Sequence, residues 1–103
     1  MSLVKIVYLT TQNLPSNEKF GLISQVNRSA VSIPSNIAEG SGRTSEKEFV
    51  HFLNIAISSS FELETQLILI SDFFELDTSH CLQKIVEIQK MISGFKKSLI
   101  KIN

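Results

Sequence analysis

At 103 residues the chain is long enough for one domain with a modest core, and its 43% hydrophobic content makes it globular rather than disordered. Ten Lys and Arg cancel ten Asp and Glu, which argues against strong sequence-independent binding of phosphate backbones by the chain as a whole. The single cysteine, Cys81, excludes an internal disulfide. There is no signal-peptide pattern, and the longest apolar run, Leu67 to Ile70, is far too short for a bilayer, so the expected setting is the cytoplasm, with no membrane partner.

Four segments follow in chain order, as one domain over residues 1–103. In residues 3–12, Val4, Ile6, Val7, Thr10 and Thr11 are β-branched and favour a strand locally. No other segment offers alternating strand character to pair with, so the expectation is a short helix ended by Asn13-Leu14-Pro15-Ser16.

The second segment runs from about Asn17 to Glu39, with Ser16 as its N-cap. Phe20, Ile23, Asn27, Ala30, Pro34 and Ile37 recur at helical steps. Pro34 predicts either a kinked continuous helix or two short helices broken at Ile33. Gly40 reads as a left-handed helix terminator.

Ser45-Glu46-Lys47-Glu48 is a capping-box pattern that opens a third helix reaching about Phe74. Phe49, Phe52, Ala56, Ser59, Leu63, Gln66, Ile70 and Phe73 trace one seam on it, yet Val50, Leu53, Ile57, Phe61, Leu67, Ile68 and Leu69 cover much of the rest. A helix apolar nearly all round is buried on more than one side, and in so small a domain the second surface is most simply another subunit. Asp77-Thr78-Ser79 starts the fourth helix, whose Ile85, Ile88, Ile92, Phe95, Leu99 and Ile102 alternate steps of three and four. The fold class predicted is all-α: an antiparallel up-down four-helix bundle whose first helix is short or cut short.

Beyond the periodicity, particular residues carry a resemblance. They are Glu18-Lys19-Phe20-Gly21-Leu22, Gln25, Arg28, Ser32-Ile33-Pro34-Ser35-Asn36-Ile37-Ala38-Glu39-Gly40, Gly42-Arg43 and Ser45, continued by Glu48-Phe49, Phe52-Leu53, Ile55-Ala56 and Glu62-Leu63-Glu64-Thr65-Gln66-Leu67. In them the chain resembles the four-helix-bundle proteins encoded in intervening sequences of 23S rRNA genes, some labelled ribosomal proteins. The resemblance implies a ring-shaped homopentamer. It also implies a link to nucleic acid, through a related protein of diversity-generating retroelements that assists a reverse transcriptase. One departure stands out, since the family's first helix is longer by several turns. Either the helix is short here or part of it is missing, and in the second case an apolar groove between helices two, three and four would lie open.

The candidate chemistry is sparse. Gly40 to Ser45 leads into a helix N-terminus that could hold a phosphate through backbone amides and Arg43, but it lacks the P-loop ending, and a chain reversal explains the same residues. Glu62 and Glu64 lie roughly 200° apart on a helix, so they are no acid–base pair. Glu64 falls among Ile57, Phe61, Leu67 and Ile68, where a lone carboxylate is costly, so it is expected to pair with Arg28 or Arg43 in a structural or intersubunit contact. Arg28, Asn36 and Glu39 are expected at the same kind of contact. Ser58-Ser59-Ser60 has no base beside it, and His51, His80 and Cys81 make no metal pattern. No catalytic residue, cofactor, metal or small-molecule substrate is expected.

Charge is segregated along the chain. Lys84, Lys90, Lys96, Lys97 and Lys101 against Glu87 give +4 near the C-terminus, whereas residues 46–77 carry −6. Lys90, Lys97 and Lys101 share one face of the fourth helix, and in a ring that face would repeat. The reading that follows is a non-enzymatic homo-oligomeric scaffold. The alternative is an RNA- or DNA-binding accessory factor using Arg28, Arg43 and those lysines.

Overall fold

In the computed structural model, residues 2–15, 17 and 19–102 are described, with the side chains of all of these except residues 2, 19, 20, 101 and 102. The β-branched N-terminal segment is helical. Helix α1 (Ser2–Thr11) buries Leu3, Val7 and Thr11, one residue per turn along a single stripe. Thr11 Oγ1 donates to the Tyr8 carbonyl at 3.0 Å, so a β-branched residue sits in the last turn with its hydroxyl satisfied. Among the described residues there is no strand, and burial of this stripe overrides the local β preference.

A π-helical turn, Lys19–Ile23, leads into α2 (Ser24–Ser41). The residue before α2, Ile23, already has helical angles (φ −60°, ψ −45°), so α2 grows out of that turn without a side-chain cap. The expected cap, Ser16, lies outside the described residues. Pro34 sits inside α2, which is continuous through it, and the reading of two helices broken at Ile33 is set aside.

Gly40 does not terminate the helix in a left-handed conformation. It lies within α2 and is buried. A Cβ there would stand 2.8 Å from Phe49 Cδ1 and 2.8 Å from Phe52 Cβ, so Gly40 is the point where α2 and the next helix touch backbone to side chain. The helix ends one residue later at Ser41. Gly42 follows in a right-handed conformation (φ −87°), with its amide and that of Arg43 donating to Glu39 O and Gly40 O.

Ser45 is extended (φ −118°, ψ 147°), and its Oγ accepts from the Glu48 amide at 3.1 Å, opening α3 (Glu46–Phe74) where the capping pattern predicts. Glu46 and Glu48 in the first turn complement the helix dipole. The buried stripe of α3 runs through Leu53, Ala56, Ser60, Leu63, Leu67 and Ile70. It is rotated from the predicted seam: Phe73 is 76% exposed, and Ser59 and Gln66 are only half-buried. Glu75 ends α3 in the left-handed region (φ 51°, ψ 37°).

Asp77 Oδ1 accepts from both the amide (3.0 Å) and the hydroxyl (2.7 Å) of Ser79, the first residue of α4 (Ser79–Ile102). These two donors hold the Asp77 carboxyl below the usual range. Cys81, Ile85 and Ile92 are buried along α4 and Ile88 and Leu99 are half-buried, whereas Phe95 remains exposed; the Ile102 side chain lies outside the described residues.

The helices are arranged in the cyclic order α1-α2-α3-α4, with α1 against α2 and α4, and α3 against α2 and α4. Ser29 donates to Glu62 and Ser32 bonds Ser59, so α2 and α3 run antiparallel. Lys96 to Asn54 and Gln89 to Glu64 give the same sense for α3 and α4. This is the predicted all-α four-helix bundle with a short first helix. Among the described residues no helix is long and apolar enough to cross a membrane.

Candidate interaction surfaces

Between α2 and α3 runs a polar seam built from small side chains. Ser29 Oγ donates to Glu62 Oε1 at 2.9 Å, and Gln66 Nε2 donates to the same oxygen at 3.4 Å. One turn along α2, Ser32 and Ser59 share a 2.8 Å bond, while Asn36 Nδ2 donates to the Ser32 carbonyl at 2.8 Å and its hydroxyl at 3.0 Å. Both Asn36 bonds thus stay within α2, on the serine that meets Ser59 of α3. Gln66 Oε1 is buried with no donor among the described residues.

The phosphate reading of the α2–α3 turn weakens once its arginine is located. Arg43 forms an ion pair with Glu39 four residues before it, and its guanidinium stacks 4.8 Å over the Phe52 ring. Both members of the pair are exposed. Since the Ser45 hydroxyl already occupies the Glu48 amide, the turn is served by its own side chains.

Neither arginine reaches Glu64. Among the described residues the half-buried Glu64 accepts one hydrogen bond, from Gln89 Nε2 on α4 at 3.3 Å. Arg28 is exposed and has no hydrogen-bond or ion-pair partner among the described residues; it lies on the other side of the bundle from α4. The expected intrachain pair of Glu64 with Arg28 or Arg43 is therefore replaced by a neutral amide. Gln89 was not legible as that partner, because the sequence offers several amides at helical spacing.

The basic face of α4 is partly as expected. Lys90 and Lys97 are exposed, without an ion-pair partner among the described residues, and the Lys101 side chain lies outside them. Lys96 is turned toward α3 by its 2.9 Å bond to Asn54, and Lys84 pairs with Glu87 at 3.5 Å. Cys81 is buried against Thr10, with Sγ 3.4 Å from its Oγ1. Burial pushes the Cys81 thiol up, against a smaller opposite effect of the Thr10 contact. Among the described residues no group of three or more His, Cys, Asp and Glu is placed to hold a metal.

What the chain presents instead is apolar surface. Phe61 (54% exposed) and Ile68 (47%) on α3, with Val86 on α4, form a strip along the outside of these two helices, while Ile100 lies apart from it, beside Val50 near the start of α3. On the opposite side, Tyr8 and Leu9 of α1 and Val31 of α2 are also exposed. A groove of about 510 Å³ lies between α2 and α4, lined by Ile37, Leu53, Ile92 and Phe95 among others. Its lining comes from α2, α3 and α4.

The model of the 23S rRNA-intervening sequence protein family matches residues 1–94, covering α1 through the middle of α4. The chain belongs to that family. No curated protein matches it. Within the 23S rRNA-intervening sequence protein match fall the polar seam, Gly40 and its aromatic contacts, and the Glu64–Gln89 pair, whereas Lys97 lies beyond it.

Proposed function

We propose that this protein is a non-enzymatic subunit of a cytoplasmic homo-oligomer, a pentamer by the family resemblance, that acts as an interaction scaffold. The observation that supports it is the apolar strip of Phe61, Ile68 and Val86 on α3 and α4. Monomeric proteins seldom leave a contiguous apolar strip in water, and association removes it. Light scattering and sedimentation velocity test the reading. A mass several times that of one chain is expected, and a monomer at every accessible concentration refutes it.

A second reading, RNA or DNA binding, has support of its own. Lys90 and Lys97 on α4 and Arg28 on α2 are exposed cations without an ion-pair partner among the described residues. Fluorescence anisotropy with a structured RNA, titrated with salt, tests it. Phosphate contacts require an affinity that falls steeply with salt, and no binding at low salt sinks the reading.

A further inference from the structure

Two charged side chains border the strip: Glu64 on α3 and, four residues after Val86 on α4, the exposed Lys90, which forms no ion pair with Glu64. Glu64 lies three residues after Phe61 and four before Ile68, so all three share one side of α3. Its partner Gln89 lies three residues after Val86 on α4. The carboxylate is half-buried, and its one hydrogen-bond donor among the described residues is a neutral amide at 3.3 Å. Any surface that covers the apolar neighbours also strips water from this carboxylate. An ionised carboxylate buried without a cation is costly, so the covering surface has to bring a positive charge.

The opposite side of the same molecule carries such a surface. Because α1 and α3 both pack between α2 and α4, the α1–α2 face points away from the α3–α4 face. The Asn27–Thr11 contact sets α1 against α2. Tyr8 lies one turn before Thr11 and Val31 one turn after Asn27, which places them side by side, 55% and 47% exposed. Arg28, three residues before Val31, is exposed and unpaired among the described residues, while Arg43 is held by Glu39.

Height along the bundle is the deciding detail. Ser29 bonds Glu62, and one residue back on α2 is one residue forward on the antiparallel α3. Arg28 therefore stands level with Leu63, next to Glu64 in height, on the exposed side of α2. By the same register Tyr8 and Val31 stand level with Phe61 or its neighbour. Two copies side by side with parallel axes bring cation to carboxylate and apolar to apolar without an axial shift.

We propose that a second copy of this chain covers Phe61, Ile68 and Val86 with its Tyr8–Val31 face, and that Arg28 of that copy pairs with Glu64. The two faces differ, so the contact is head-to-tail and repeats from copy to copy. A guanidinium suits the role because it binds a carboxylate through two parallel bonds and is weakly hydrated. The proposal rests on the self-association reading and names the contact that achieves it.

Charge reversal tests it in sedimentation velocity, with the fold of each variant checked by circular dichroism. Glu64→Arg alone places arginine against arginine, and Arg28→Glu alone places glutamate against glutamate. Each variant is expected to weaken association at least about thirty-fold. Mixed in equal amounts they are expected to associate again through contacts between unlike copies, at least as far as the mixed pair, because each supplies the charge the other lacks; a closed ring of five would keep one like-charged contact. A pair formed within one chain has no such rescue by mixing. If Glu64→Arg does not fold, Arg28→Glu still decides, since Arg28 has no partner of its own chain to lose among the described residues. Single variants that assemble like the wild type, or a mixture of folded variants that stays apart, overturn the pairing alone. A monomeric wild type overturns the self-association reading along with it.

Discussion

Replacing Gly40 with alanine adds one methyl group at the closest approach of α2 and α3. In an open helix this change stabilises by about 1 kcal/mol, because alanine loses less backbone freedom than glycine. At Gly40 the new Cβ would meet Phe49 Cδ1 and Phe52 Cβ, both at 2.8 Å, where ordinary contact begins near 3.4 Å. The Phe49 ring can swing, but Phe52 Cβ is fixed to the α3 backbone, so the helices must part. Overpacking of this kind costs about 1–3 kcal/mol, leaving a net loss of about 1 kcal/mol. Gly94 in α4 supplies the control, because among the described residues a Cβ there meets nothing within 4 Å and Gly94→Ala keeps the whole propensity gain. The two variants should then differ by about 2 kcal/mol, roughly thirty-fold in the unfolding equilibrium. Urea denaturation followed by circular dichroism at one fixed protein concentration measures the difference, with equal slopes required for the comparison. A Gly40→Ala protein as stable as Gly94→Ala would refute the close-approach account and return Gly40 to the role of a plain helix residue.

Three further outcomes are open to the same denaturation assay. Ser45→Ala removes the acceptor of the Glu48 amide and should cost about 1 kcal/mol, whereas an unchanged midpoint would mean that water caps α3 equally well. Glu75→Gly should raise stability by about 0.5–1 kcal/mol, since φ 51° is unfavourable for a side chain and free for glycine; a loss would show that the glutamate makes a compensating contact. The Cys81 thiol is pushed up by burial, so the folded state favours its protonated form. That contribution is complete below the ordinary thiol range and is lost as pH rises through the elevated folded value. Wild-type stability should therefore fall with rising alkaline pH more steeply than that of Cys81→Ala, and equal slopes would refute the assignment.

Helix number, helix order and the start of α3 were legible because each rests on local chemistry. Ser45 with Glu48 three residues on is a cap whatever surrounds it, and the isoleucines of α4 recur at a spacing only a helix satisfies. Other features depended on what stands opposite. A glycine after a helical stretch serves equally as a left-handed stop or as a close approach, and only the positions of Phe49 and Phe52 tell the two apart at Gly40. The seam of α3 was misplaced because a helix apolar on most sides admits several stripes of equal hydrophobicity, and the burial of Leu53 and Leu67 selects one of them. The π turn at Lys19–Ile23 shifts the phase of the apolar pattern before α2, which a fixed helical period does not anticipate.

The polar groups on the two sides of α3 behave differently, and the difference bears on how the bundle meets its surroundings. Toward α2, Glu62 has two donors and Ser59 is matched by Ser32, so this contact is closed by the chain's own side chains and fixes the register of the two helices. A slip of one turn would part Ser29 from Glu62 and carry Gly40 away from Phe52, breaking a hydrogen bond and a steric fit together. Toward α4, Glu64 meets one amide in the midst of Phe61 and Ile68, which remain half exposed. The first arrangement needs nothing further. The second leaves a carboxylate and an apolar strip in water, where exposure keeps the charge solvated at the expense of the hydrophobic side chains. A covering surface that is apolar and carries one cation relieves both at once, whereas a purely apolar one would bury the charge unpaired and a purely basic one would leave the strip wet. Mixing the two charge-reversed variants separates these cases, because only the paired surface is restored by exchanging charges between copies.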